Sequence, residues 1–99
     1  MLYAIMARDV AESTNKRAAV RSRHLEYVEA LLRDGRLVFA GPHPAVDSPD
    51  PGPAGVTGSL VIAEFESLEA AELWAANDPY RIEGVFADVE IKPVLQTLP

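Results

Sequence analysis

The sequence of 99 residues has no cysteine, no long apolar run and few aromatic side chains. Without cysteine, the chain cannot form disulfides, use a thiol nucleophile or bind a metal through thiolates. The apolar run from Met1 to Met6 is followed by Arg8 and Asp9 and is too short for a signal-peptide core or a membrane span. We therefore expect a cytoplasmic protein that does not act at a membrane.

Positive charge is also scarce in this chain. The nine lysines and arginines are outnumbered by fifteen aspartates and glutamates, which gives a formal net charge of -6 at pH 7. Because this charge repels phosphate backbones, we expect no nucleic-acid partner. Apolar residues make up 48% of the chain, which is typical of a folded globular protein, and the length predicts one domain over residues 1–99.

The apolar pattern predicts four strands and two helices in the order β-α-β-β-α-β. Short apolar or alternating runs predict strands at residues 2–7, 36–41, 59–65 and 85–92. A cap at Ser13 or Thr14 predicts a helix to about residue 33, and a cap at Ser67 predicts a second helix over residues 68–77. Pro93 is expected to end the last strand.

This element order is that of the ferredoxin-like fold, an α+β arrangement in which both helices cover one face of an antiparallel sheet. The other face of the sheet would then be bare and apolar. A second copy of the same face is the simplest partner for it, so we expect a homodimer.

The long segment at residues 42–57 contains five of the eight prolines and is expected to be a stiff loop. His43, Asp47 and Asp50 lie in it, but their spacing matches no recognised ligand pattern. We therefore expect no metal site here.

His24 lies within the apolar stripe of the first helix. Val20, Val28 and Leu31 share its face at helical spacing, so the imidazole is expected at the edge of the core. Two interpretations are open: a general acid or base, or a core histidine that bonds a backbone carbonyl. The position alone favours the structural interpretation.

Four of the nine basic residues lie close together, at positions 16, 17, 21 and 23. Arg21 precedes His24 by about one helical turn and could bind a substrate carboxylate near the imidazole. For Lys16 and Arg17, a solvated helix face paired with nearby glutamates is the favoured interpretation.

Asp78 follows the second predicted helix, at the end where the helix dipole disfavours negative charge. A proton donor such as His24 would offset that cost, and the carboxylate would fix the imidazole tautomer. Asn77, Asp78 and Pro79 could equally be a simple helix stop. Both interpretations remain open at this point.

Several segments together resemble the YciI-like family over nearly the whole chain. They are Arg21-Ser22-Arg23-His24-Leu25, Gly35-Arg36-Leu37, Ala40-Gly41-Pro42, Gly58-Ser59-Leu60-Val61-Ile62, Asp78-Pro79-Tyr80 and Gly84-Val85-Phe86. The resemblance implies a dimeric α+β barrel of ferredoxin-like subunits. It also implies an active site centred on a His-Asp pair, whose members fall on His24 and Asp78.

With this resemblance, the functional interpretation of His24 becomes the favoured one. We expect proton transfer on a small, anionic, carboxylate-bearing substrate, as in an isomerase or lyase, with His24 as general acid or base and Asp78 orienting it. Arg21, Arg23 and Tyr80 are the expected substrate-binding residues. No metal and no cofactor are needed. The alternative is a non-catalytic metabolite-binding or accessory dimer, in which the pair is only a structural hydrogen bond.

Overall fold

The computed structural model describes residues 1–99 and shows a four-stranded antiparallel sheet packed against three helices. The strands are β1 (Leu2–Asp9), β2 (Leu37–Pro44), β3 (Val56–Glu64) and β4 (Phe86–Val94). The helices are α1 (Thr14–Arg33), α2 (Leu68–Ala76) and the short α3 (Pro79–Ile82), and one 3-10 turn (Gly52–Ala54) precedes β3. The strand order β2-β3-β1-β4 confirms the predicted ferredoxin-like α+β fold. None of the helices has both the length and the apolar content that a membrane crossing requires.

The core lies between the helices and one face of the sheet. Tyr3 and Ile5 of β1 and Val61 of β3 are buried there against Leu31 of α1. Burial of each such side chain stabilises the fold by about 1.5–3 kcal/mol. The stripe predicted on α1 is confirmed, because Val20, Val28 and Leu31 are its buried residues.

Both outer strands continue through proline. β2 ends at Pro44 and β4 ends at Val94, so the predicted ends at residues 41 and 92 are wrong, and the connection before β3 is shorter than expected. β2 and β4 are the edge strands, where one side of the backbone has no partner strand. Proline is tolerated there because its missing N–H removes no bond on the open side.

The two predicted helix caps differ in outcome. Ser67 caps α2, and its hydroxyl oxygen accepts a hydrogen bond from the Ala70 backbone N–H at 3.0 Å. Ser13 occupies the cap position of α1 but makes no side-chain cap, because its hydroxyl donates to Asp9 instead. The predicted side-chain cap at Ser13 is therefore wrong, and the serine belongs to a polar network described below.

The face of the sheet away from the helices is apolar at its centre. Ala4 and Met6 of β1 lie beside Ile62 and Leu60 of β3, and Phe39 of β2 lies next in line and is 49% exposed. On β4 the same face carries Asp88, Glu90 and Lys92. The expectation of an apolar face thus holds on β1, β2 and β3 and is wrong along β4. We call the five apolar residues the open sheet face.

Gly58 of β3 lies so close to β1 that there is no room for a side chain. A Cβ at this position would overlap the Ala7 carbonyl oxygen of β1. We expect Gly58→Ala to destabilise the fold by about 1–3 kcal/mol, since the two strands must separate to accept it. Urea denaturation measures the change. The neighbouring exposed substitution Thr57→Ala is the control, with an expected change of about 0.5 kcal/mol or less, and equal midpoints for both variants would contradict the expectation.

Candidate active site

His24 of α1 and Asp78 form a hydrogen-bonded pair at the edge of the core. His24 Nδ1 lies 2.7 Å from Asp78 Oδ1, and the two side chains are 12% and 5% exposed. The structure thus brings these two predicted site residues together. His24 Nε2 makes no hydrogen bond to the protein, and because no fully buried side-chain nitrogen or oxygen lacks a partner, Nε2 keeps some accessible surface. A carboxylate on Nδ1 keeps the proton on that nitrogen and leaves Nε2 to accept one.

Asp78 begins a helix instead of ending one. α2 ends at Ala76, and Asp78 is the cap of α3, where its Oδ1 accepts the Tyr80 backbone N–H at 2.9 Å. The prediction that it occupies an unfavourable helix end is therefore wrong. Pro79 occupies the first position of the new helix, a place that proline favours because its missing N–H would be unpaired there anyway. One carboxylate oxygen thus fixes both α3 and the imidazole.

Two aromatic rings hold the plane of the imidazole. The Tyr80 ring stacks on His24 with centroids 3.8 Å apart and planes 10° from parallel. The Phe86 ring meets His24 edge to face at 6.4 Å and 86°. Tyr80 and Phe86 are themselves buried, and their ring centroids lie 5.5 Å apart. The imidazole can therefore turn little without displacing a buried ring.

Arg17 forms a buried ion pair with Asp9, the last residue of β1. Arg17 Nε and Nη2 donate to the two carboxylate oxygens at 2.6 and 3.0 Å, and Nη2 also donates to Ser59 Oγ at 2.9 Å. Ser13 donates to the same carboxylate. The Arg17 and Asp9 side chains are only 13% and 2% exposed, so the solvated-face interpretation of Arg17 is wrong.

Helical spacing is the signal in the sequence that could have identified Arg17 as a residue on the same side of α1 as His24. Arg17, Arg21 and His24 lie at i, i+4 and i+7, which places all three side chains on one face of α1. Lys16, by contrast, is exposed, as the solvated interpretation predicts, but it forms none of the predicted ion pairs with glutamates.

A cleft of about 170 Å³ opens beside the imidazole, between α1 and the β2–β3 hairpin. It is lined by Arg17, Arg21, His24, Leu25, Val28, Ala40, Gly41, Pro42, Ser59, Val61 and Tyr80. A cavity of about 150 Å³ is enough for benzene, so the cleft suits a molecule of one small ring. Arg21 is exposed and has no carboxylate within ion-pair distance, so its charge is available to a ligand. A separate void of about 10 Å³ beneath the pair is too small for a substrate.

Arg23 and the loop residues His43, Asp47 and Asp50 lie outside the cleft. Arg23 is more than half exposed and lies 3.8 Å from Glu83, so the structure does not bring it to His24. Consecutive helical residues point about 100° apart, which is why a neighbour of His24 faces elsewhere. No group of three His, Asp or Glu side chains approaches closely enough to hold a metal ion, and this includes His43, Asp47 and Asp50.

Burial, together with the negative charge of Asp78, raises the pKa of Tyr27 to about 12. The Tyr27 hydroxyl donates to the Trp74 carbonyl at 2.7 Å, so the fold favours the neutral phenol. The stabilisation that the neutral Tyr27 phenol contributes should be fully present below the ordinary tyrosine pKa of about 10. It should be lost as the pH rises toward 12. We expect Tyr27→Phe to flatten this part of the pH dependence of urea denaturation. A Tyr27→Phe protein that loses stability over that range as steeply as the wild type would contradict the assignment.

The chain is thus a compact α+β protein with a four-stranded ferredoxin-like sheet and a His-Asp pair beside a small cleft. The YCII-related domain model matches residues 1–95, and the chain belongs to that family. The YciI-like resemblance is thus confirmed.

Individual relatives cover almost the whole chain. It is 59% identical over 93 residues to Protein YciI of Escherichia coli O6:H1 and to Protein YciI of Shigella flexneri, covering 94% of this chain and 95% of each relative. A protein of Haemophilus influenzae is 52% identical over the same length. Among solved structures, the chain is similar to 5-chloro-2-hydroxyhydroquinone dehydrochlorinase of Burkholderia phenoliruptrix in complex with 2,5-dihydroxybenzoquinone. That likeness has a TM-score of 0.85 and 27% identity, over 96% of this chain and 94% of the other.

Proposed function

We propose that the cleft is the active site of an enzyme that transfers a proton on a small anionic organic substrate, in an isomerisation or an elimination. The observation that carries this proposal is the 2.7 Å hydrogen bond between His24 Nδ1 and Asp78, which leaves Nε2 without a protein partner in a side chain that lines the cleft. An imidazole with one nitrogen oriented and the other free is equipped for general acid–base catalysis. Side chains alone supply this chemistry.

In the proposed reaction, His24 Nε2 removes a proton from a carbon next to a carbonyl group. The electron pair of the broken C–H bond forms a carbon–carbon double bond while the π electrons of the carbonyl group move to its oxygen, which gives an enolate. The resulting imidazolium is stabilised by Asp78, and the enolate by the positive charge of Arg21. Return of the proton to another carbon completes an isomerisation, and expulsion of a leaving group from the adjacent carbon completes an elimination, after which His24 releases its proton to water.

The structural neighbour supports the elimination branch of this proposal. The name of that enzyme describes removal of hydrogen chloride from a hydroxylated ring, and its bound ligand is also a single hydroxylated ring. A cleft of about 170 Å³ accepts a molecule of that size. We therefore place small cyclic enols and hydroxyquinones beside small carboxylates as candidate substrates.

A deuterium-exchange experiment tests the proposal. The probes are 2,5-dihydroxybenzoquinone and a panel of small carboxylates, first ranked by thermal shift. Ligands that stabilise the protein are then incubated with it in D₂O, and the loss of carbon-bound hydrogen is followed by NMR. Exchange that requires His24 supports the enzyme. Tight binding with no exchange above the rate without protein would reject it in favour of the non-catalytic binding module.

Arg21 offers a sharper test of ligand binding. A hydrogen bond to a charged group contributes about 1.5–3 kcal/mol, and exposure of Arg21 places it at the low end, so we expect Arg21→Met to raise the ligand Kd about tenfold. Isothermal titration calorimetry measures the change. Arg23→Met is the matched control, because Arg23 is equally basic, lies on the same helix and is absent from the cleft. Equal effects of the two substitutions would count against the assignment of Arg21.

We also propose that a second copy of the chain covers the open sheet face, giving the homodimer that the family resemblance implies. The apolar centre formed with Met6, Leu60 and Phe39 is contiguous across three strands. Contiguous apolar surface of this kind is typical of an interface between copies.

A further inference from the structure

Arg17 and His24 contact the same two aromatic rings. The Arg17 guanidinium carbon lies 4.9 Å from the Tyr80 ring centroid and 5.9 Å from that of Phe86. His24 lies 3.8 and 6.4 Å from the same centroids. Seven residues along α1 correspond to about 10.5 Å, so the two side chains reach the rings from positions two turns apart. We call Tyr80 and Phe86 the aromatic pair.

The guanidinium is itself held from two other elements. Asp9 of β1 takes both a Nε and a Nη2 hydrogen bond, and Ser59 of β3 takes a second bond from Nη2. An arginine side chain ordinarily samples many rotamers, and a two-pronged bond to a carboxylate removes that freedom. A fixed guanidinium over a ring face is also attracted to it through the cation–π interaction. Arg17 thus contacts the aromatic pair from a fixed position.

Asp9 also determines how Arg17 acts. Because the carboxylate offsets most of the guanidinium charge, Arg17 is a weaker ligand for a substrate anion than the unpaired Arg21. Its contacts are instead with the rings that fix the imidazole plane. Proton transfer is sensitive to such placement, because an error of about 1 Å can cost about 100-fold in rate.

We propose that Arg17 is a positioning residue for His24: anchored by Asp9 and Ser59, it fixes the aromatic pair, which holds the imidazole with Nε2 toward the cleft. This inference rests on the proposed function of His24 in proton transfer. It differs from a purely structural role, in which loss of Arg17 would lower stability and leave the imidazole of the folded protein where it is.

NMR of histidine-labelled protein tests the proposal without any substrate. Arg17→Lys keeps the charge but loses the two-pronged bond. The double variant Asp9→Asn/Arg17→Met removes both charges, so no buried charge is left unpaired. The exposed His43 is the internal reference in every sample.

In the wild-type protein, stacking on Tyr80 should shift the His24 ring protons upfield relative to those of His43. We expect both variants to lose much of this shift. In the separate deuterium-exchange assay, the double variant should lower the exchange rate at saturating probe about tenfold or more, while the half-saturating probe concentration changes little. A folded Arg17→Lys protein with wild-type His24 resonances would overturn the proposal, even if the double variant does not fold.

The two proposals fail in different ways. If the variants move the His24 resonances but His24→Gln leaves deuterium exchange unchanged, the proposed function is wrong and the positioning contact stands. If His24→Gln abolishes exchange but the resonances do not respond to Arg17, the function stands and Arg17 is only structural.

Discussion

Replacing His24 with glutamine should lower the rate of deuterium exchange by about 10²–10⁴-fold, the usual contribution of a general base. Glutamine cannot accept and release a proton at neutral pH, but its amide can still donate to Asp78. We therefore expect the free energy of unfolding to change by about 1 kcal/mol or less. A change of about 1 kcal/mol shifts the melting temperature of a domain of this size by about 4–8 °C, so the shift should be no larger than that. Exchange is measured by NMR and stability by calorimetry.

The second histidine provides the control for this substitution. His43 is exposed near the end of β2, so His43→Gln should leave both exchange and stability unchanged. A loss of exchange in His24→Gln that only matches the loss of folded protein would identify His24 as a core residue. In that case the cost should be about 1–3 kcal/mol, because a buried hydrogen-bond partner would be left unpaired.

A charge on the open sheet face should convert the proposed dimer to a monomer. In a symmetric dimer, Leu60→Arg introduces two charges into one apolar interface, and misplaced interface charges cost several kcal/mol. At about 1.4 kcal/mol per tenfold, we expect the dimer dissociation constant to rise by a factor on the order of 100 or more. Sedimentation velocity across a concentration series measures it.

Leu73→Arg is the matched control for the dimer. Leu73 is an exposed leucine on α2, on the helical side of the sheet, whereas Leu60 is half-buried on the open sheet face. It should sediment as the wild type does. A wild-type protein that sediments as a monomer, or a Leu60→Arg protein that remains a dimer, would place the interface elsewhere or remove it.

The sequence predicted the fold well because its signals were local. Alternation along β4, the apolar stripe of α1 and the Ser67 cap each depend on residues within one element. Errors occurred where the outcome depended on a neighbour. Pro42 and Pro93 suggest strand ends, yet both lie in edge strands, and only the strand order shows which strands are edges.

The site was predicted only in part, for a similar reason. His24 and Asp78 are 54 positions apart, and the family resemblance, not spacing, brought them together before the structure did. Arg17 was misassigned because its partner, Asp9, lies across a turn and an element boundary. Arg23 was predicted to bind substrate because of its charge, and charge alone does not show the direction in which a side chain points.

The double use of Asp78 affects how variants at the site would behave in a living cell. Asp78→Ala removes the cap of α3 together with the imidazole partner, and loss of a cap costs about 0.5–2 kcal/mol. Changes of about 1–2 kcal/mol alter the cellular abundance of a protein several-fold. Asparagine is a good cap, so Asp78→Asn should keep normal abundance while losing the negative charge. Selection on protein level should therefore permit asparagine at this position, whereas selection on turnover should require aspartate.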